Sequence, residues 1–264
     1  MQDETVRGLR IAYERAGTGP PLVLLHGFVG DSREWRNQID GLSEEFTVVA
    51  WDAPGAGGSD DPPASFGMAD YADCLAELIR ALHLERPHIA GLSFGGALAL
   101  ELYRRHPTIP RTLLLAGAYA GWTGSLSAEV AEQRLRRSLD LADQSPAEFV
   151  NAMIPTLFPE STPKEVVDGF SAIAAEFHPE GFRTMARSLA EADLRDVLPK
   201  IRIPTLLVYG DRDARASLQV AEALHTAIPE SSLVILAGVG HMINVQAGDQ
   251  LNREMRQFLR AALR

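Results

Sequence analysis

The stretch Gly91-Leu92-Ser93-Phe94-Gly95 decides the reading of this chain. It has the form G-x-S-x-G, with the apolar pair Ile89-Ala90 before it and a helix-like run from Gly96 to Arg105 after it. Strand, sharp turn and helix in that order make a nucleophile elbow, in which the turn lifts a serine hydroxyl clear of a sheet. Gly91 and Gly95 suit such a turn, because a Cβ at either place would collide with neighbouring backbone. The pentapeptide alone says little, since Gly and Ser often meet in ordinary loops. Its meaning rests on a base, an acid and an oxyanion-binding loop elsewhere in the chain.

Outward from the elbow, strand-like and helix-like segments alternate, the pattern of a parallel sheet with helices on both faces. Toward the N-terminus, Leu9, Ile11 and Tyr13 alternate with polar residues, as in an antiparallel edge hairpin. Pro21 to Leu25 is a continuous apolar run, the mark of a strand buried on both sides, and Phe46 to Trp51 reads as another buried strand. Between them, Ser32 is placed to cap a helix from about Arg33 to Glu44. Helical spacing through Tyr71, Leu75, Leu78, Ile79 and Leu82 predicts a helix over Met68 to Leu82. Pro87 to Gly91 is the strand that leads into Ser93, and Arg111 to Ala116 is the next strand.

From about Tyr119 to Asp196 strand signals vanish. Pro146, Pro155, Pro159, Pro163 and Pro179 separate helical segments rich in Phe, Met and Leu, which reads as a helical insertion. Strand grammar returns at Ile203 to Tyr209 and at Leu233 to Leu236, and an amphipathic helix from about Asp249 to Leu263 closes the chain.

A serine hydroxyl needs a base in hydrogen-bond reach, and the base needs an orienting acid. Of the seven histidines, His241 stands apart: Gly238-Val239-Gly240-His241 follows a strand and precedes the last helix. Such a loop can bring the ring to the C-terminal edge of the sheet, where open α/β sheets build their sites. For the acid, Gly210-Asp211-Arg212-Asp213 follows the strand ending at Tyr209. Either aspartate could serve; the longer loop favours Asp213 as the inward one, with Asp211 supporting the turn. Ser93, Asp213 and His241 then run in the chain order of an α/β-hydrolase. Two amides are candidates for an oxyanion hole: Phe94, directly after the serine, and Phe28 in the loop His26-Gly27-Phe28-Val29-Gly30. His26 reads as a structural partner within that loop rather than a second base.

At 264 residues the chain can hold one α/β domain with an insertion, or two small domains. A net charge of -10 argues against a nucleic-acid partner, because phosphate contacts need clustered Lys and Arg. The short basic runs Arg104-Arg105 and Arg134 to Arg137 read as solvated helix faces. The single cysteine, Cys74, rules out an internal disulfide framework and reads as a small core residue. The polar, acidic start and the lack of any long apolar run lead to the expectation of a cytoplasmic protein with no membrane partner. Asp211 and Asp213 lack further ligands for a metal, and the Gly55-Ala56-Gly57-Gly58 tract lacks the third glycine of a dinucleotide loop. No metal or cofactor is expected.

The whole pattern resembles the α/β-hydrolase superfamily, in its lid-bearing esterase, lactonase and cofactor-free haloperoxidase group. The resemblance is carried by His26-Gly27-Phe28, Asp52 to Ser59, Gly91 to Gly96, Gly210 to Asp213 and Gly240-His241. It implies a mostly parallel eight-stranded sheet flanked by helices, with the helical insertion as a cap after the sixth strand. The core would span residues 1–118 and 197–264, and the cap 119–196. It also implies hydrolysis through an acyl-enzyme on Ser93, with a small-to-medium, fairly apolar ester, thioester or lactone as substrate. Ser93 stands where dehalogenases and epoxide hydrolases of this fold carry aspartate, which argues against those reactions. Phe94 stands where haloperoxidase-like members commonly carry Met. Two alternatives remain open: a low-turnover ligand receptor and a cofactor-free perhydrolase. Trp35, Trp122, Met153 and Met242 are candidate substrate-lining residues, with core packing the alternative for each. The expected assembly is a monomer or homodimer.

Overall fold

A computed structural model describes residues 1–263. Eight strands form one sheet: β1 (Gln2–Val6), β2 (Leu9–Ala16), β3 (Pro21–Leu25), β4 (Thr47–Trp51), β5 (His88–Leu92), β6 (Thr112–Ala116), β7 (Thr205–Gly210) and β8 (Ser232–Leu236). Their spatial order is β1-β2-β4-β3-β5-β6-β7-β8. β2 pairs antiparallel with both β1 and β4, and every pair from β4 to β8 is parallel.

The burial of each strand explains its composition. Every residue of β4, β5, β6 and β7 is buried, because helices cover both faces of the sheet, and these strands are accordingly nearly all apolar. β8 lies at the edge and is mostly exposed or half-buried, so its run of four apolar residues overstates its depth. The sheet order reverses across β3: the chain steps from β3 out to β4, then back to β5 on the other side. Such a switch point opens a crevice at the C-terminal ends of the two central strands. The loops after β3 and β5 meet there.

Before β6 the helices are α1 (Arg36–Leu42), α2 (Met68–Ala81) and α3 (Phe94–Arg105). Five lie between β6 and β7: α4 (Trp122–Ser125), α5 (Ala128–Leu141), α6 (Pro146–Leu157), α7 (Lys164–Ala174) and α8 (Pro179–Glu191). The remainder are α9 (Leu218–Ala227), α10 (Ile243–Gln246) and α11 (Gly248–Ala261). Leu251, Met255 and Leu259 recur every fourth residue along α11 and are its buried face. Cys74 is buried in α2, and burial pushes its thiol up to about 12.

Two local expectations need correcting. The side-chain cap in this region is Asp31, not Ser32, and it caps a 3-10 turn ahead of α1, while α1 itself starts after Trp35 with no side-chain cap. Asp31 Oδ1 accepts the Arg33 amide at 2.9 Å, and Ser32 falls inside a 3-10 turn, Ser32–Trp35, that precedes α1. Aspartate and serine are both good caps and sit side by side here, so composition does not choose between them. Pro155 does not separate helices but lies inside α6, in its last turn. There a proline removes only one intrahelical bond, which the rest of the helix tolerates. By contrast Pro146 and Pro179 each occupy the first helical position, and Pro163 caps α7.

Candidate active site

The turn between β5 and α3 is a single residue, Ser93, held at φ +53° and ψ -108°. A non-glycine residue in that region is strained, and the surrounding structure must hold it there. It is held from both sides: the Ser93 amide donates to the Ala116 carbonyl at the end of β6, and its own carbonyl accepts from the Gly96 and Ala97 amides. The flanking glycines are a matter of space. A Cβ on Gly91 would stand 2.2 Å from the Gly95 oxygen, and one on Gly95 would stand 2.1 Å from the Leu25 oxygen. The elbow is thus pressed between β3 and its own helix, with Ser93 left facing the crevice.

His241 and Asp213 arrive from the loops after β8 and β7. His241 Nδ1 and Asp213 Oδ2 are 2.8 Å apart, and both side chains are almost completely buried. Asp213 Oδ1 accepts the amides of Arg215 at 2.7 Å and Ala216 at 2.9 Å. Burial alone would push the Asp213 carboxyl up. The neighbouring His241, its hydrogen bond and the two amides outweigh that, and hold the carboxyl below the usual aspartate value. A carboxylate in this place can accept a proton from His241 Nδ1 and so orient the ring. Asp211, two residues earlier, serves the loop instead, accepting the Gly238 amide at 2.7 Å.

Ser93 and His241 open on one narrow cavity, with an apolar wall of Phe28, Val29, Leu157, Phe170 and Met242. Neither the Phe28 nor the Phe94 amide donates to another protein group among the described residues. His26 has both ring nitrogens occupied: Nδ1 donates to the Gly27 carbonyl at 2.7 Å, and Nε2 accepts the Ala53 amide at 2.9 Å. That ties the loop after β3 to the loop after β4.

The four candidate lining residues separate. Met242 lines the Ser93 cavity. Trp122 is buried with its ring edge-on to Phe28, 6.1 Å between centroids, so it backs the wall without facing the cavity. Trp35 is wholly buried at the start of α1, where its bulk fills the core, so of the two readings open for it packing is the one realised. Met153 lines a different cavity, between α5, α6 and the loop after β7.

One buried residue of the Ser93 cavity gives no signal in the sequence. Glu34 Oε1 accepts the Gly27 amide at 3.2 Å and the Asn244 side-chain amide at 3.1 Å, bridging the loops that carry Phe28 and His241. Its Oε2 has no hydrogen-bond partner and lies against Gly30, where a Cβ would come within 1.8 Å of it. Burial pushes this carboxyl well above the usual glutamate range. In sequence Glu34 sits between Arg33 and Trp35 and looks like any exposed helical glutamate.

With this geometry in view, the comparisons with known proteins fall into place. The sequence pattern of the Alpha/beta hydrolase family matches residues 22–254, and the chain belongs to that family. It is a hydrolase of the α/β-hydrolase fold. A structure of a thermophilic esterase from Thermogutta terrifontis, with malate bound, superposes with a TM-score of 0.91 at 30% identity, covering 99% of this chain and 98% of that one. The enol-lactonase from Burkholderia xenovorans superposes with a TM-score of 0.90, covering 98% of this chain and 99% of that one; at 24% identity it shows the shared fold alone. Among curated proteins, the AB hydrolase superfamily protein YisY of Bacillus subtilis is 26% identical over 260 residues, spanning 97% of both chains. Among the described residues, no helix is long and apolar enough to cross a membrane, and no group of three His, Cys, Asp or Glu side chains is placed to hold a metal.

Proposed function

We propose that this hydrolase works through a covalent acyl-enzyme on Ser93, acting on a carboxylic ester, thioester or lactone of small to medium size. The observation that carries the reading is the buried Asp213–His241 pair, 2.8 Å apart, beside a strained serine that shares its cavity. Asp213 holds His241 in the tautomer whose Nε2 takes the Ser93 proton. Ser93 Oγ then adds to the substrate carbonyl. The unpaired amides of Phe28 and Phe94 are the donors for the resulting oxyanion. The tetrahedral species collapses as His241 gives its proton to the leaving oxygen or sulfur. Water, deprotonated by His241, adds to the acyl group, and a second collapse frees the acid and restores Ser93.

The test is Ser93→Ala assayed on a short aryl ester. Turnover falls by about 10⁴-fold or more, while the variant keeps the wild-type melting temperature. A folded variant with undiminished activity contradicts the reading.

A further inference from the structure

The cavity lined by Met153 also holds three arginines, in a chain where acidic residues outnumber basic ones by 35 to 25. Arg134 and Arg137 project from one face of α5, three residues apart, and Arg215 comes from the loop just past Asp213. Arginines close by in sequence or space, Arg136 and Arg183, have carboxylate partners. Among the described residues these three have none. Their bonds go to neutral oxygens: Arg215 donates to the Thr156 hydroxyl at 3.0 Å, and Arg134 to the Tyr119 hydroxyl and the Arg215 carbonyl, both at 2.9 Å.

Grouping like charges in a partly desolvated place is costly unless something neutralises them. The strain shows at Arg215. Burial, and then the charges of Arg134 and Arg137, pull its guanidinium below the ordinary arginine value, against the opposing pull of Tyr119 and Asp213. Asp213 is not free to neutralise it, since its oxygens are taken by His241 and by backbone amides. The cavity, of about 340 Å³, has room for a small organic acid. It is also close to the chemistry. The Arg215 guanidinium lies 5.5 Å above the Phe28 ring, and that ring is part of the wall beside Ser93.

We infer that this arginine-lined cavity is an anion subsite, which takes a carboxylate or phosphate group carried by the same substrate whose acyl carbonyl reaches Ser93. The inference rests on the serine-hydrolase reading and narrows it: the preferred substrate is an ester or lactone bearing an acid group, not a wholly apolar one. Guanidinium forks match the oxygens of either anion. Thr156 and Ser138 add hydroxyls to the same wall.

The test compares para-nitrophenyl hemiglutarate with para-nitrophenyl pentanoate, esters of equal acyl length that differ in the terminal carboxylate. The wild-type enzyme prefers the hemiglutarate in kcat/KM by about tenfold or more, as expected for charge-assisted hydrogen bonds. Arg137→Gln and Arg215→Met each cut that ratio, chiefly through KM for the hemiglutarate. A purely structural role for the arginines lowers both esters together and leaves the ratio unmoved. Arg137 is exposed on α5, so its variant tests the inference even where Arg215→Met fails to fold. A wild-type preference for pentanoate, or a ratio that both variants preserve, overturns it. Turnover of neither ester counts against the serine reading, and calorimetry with free glutarate then decides the subsite. Binding by the wild type that Arg137→Gln loses upholds it, and no binding refutes it. Inorganic phosphate that displaces glutarate at lower concentration assigns the subsite to a phosphate group.

Discussion

The two cavities on either side of Phe28 are built on opposite principles. The one at Ser93 is made largely by backbone: a one-residue turn, glycines with no room for a Cβ, and an apolar wall. The one at Arg215 is made by side chains gathered from α5, α6 and a loop, with arginines that have no carboxylate partner among the described residues. On the proposed mechanism, the first is preorganised for a charge that appears only during reaction. On the proposed reading, the second takes a charge that the substrate brings with it. The proposal thus gives the chemistry to the backbone at Ser93 and the choice of substrate to the insertion between β6 and β7.

The largest effects should fall on the first cavity. Asp213→Asn leaves the packing intact but lets His241 adopt the wrong tautomer, and kcat on an aryl ester falls by about 10⁴-fold. A loss confined to KM would remove Asp213 from its role as orienting acid. Next comes the packing that holds the insertion over the site. Phe149 stacks on Phe177 with 3.8 Å between ring centroids and meets Phe182 edge-on. Phe149→Ala costs about 4 kcal/mol of unfolding free energy, measured by urea titration; a cost near zero would mean that this cluster does not anchor the helices. Gly95→Ala drives a Cβ toward the Leu25 oxygen and costs about 3 kcal/mol. A fully stable variant would show that the elbow has slack.

The smallest effect concerns Glu34 and depends on pH. Its folded carboxyl keeps its proton above the range in which the unfolded chain loses it. The folded state therefore binds more protons through that window, and stability falls as pH rises. Glu34→Gln keeps an acceptor for the Gly27 amide and removes that slope. The variant gains on the wild type as pH rises above the ordinary glutamate range, as followed by urea unfolding at each pH. Parallel curves would place the ionisation of Glu34 at its ordinary value.

What the sequence makes legible follows the same division. The sheet, its order of segments and the strand–Ser93–helix turn are local patterns, because spacing and glycine placement dictate them within a few residues. The pairing of the loops after β7 and β8 is also legible, since strand ends in a parallel sheet point to one edge. Glu34 and Arg215 are not. Glu34 follows an arginine and Arg215 lies between two alanines, and each becomes special only through burial by segments away from it in the chain, Gly27 and Asn244 for Glu34, Thr156 and Arg134 for Arg215. Arg134 to Arg137 reads as a solvated basic run, and Arg136 behaves so, paired with Glu132. Arg134, half-buried, and Arg137, still exposed, also border the cavity, a distinction that depends on which side of α5 meets α6. Trp35 misleads in the other direction: a large aromatic near the oxyanion loop suggests a pocket wall, yet the start of α1 turns it into the core.

The central claim is that Ser93 carries the acyl group. Intact-protein and peptide mass spectrometry after treatment with a fluorophosphonate tests it most directly. The account predicts one adduct per chain, located on Ser93, formed more slowly in Asp213→Asn and absent from Ser93→Ala. An unmodified Ser93 in a protein that still hydrolyses esters, or an adduct on another residue that abolishes activity, would contradict it.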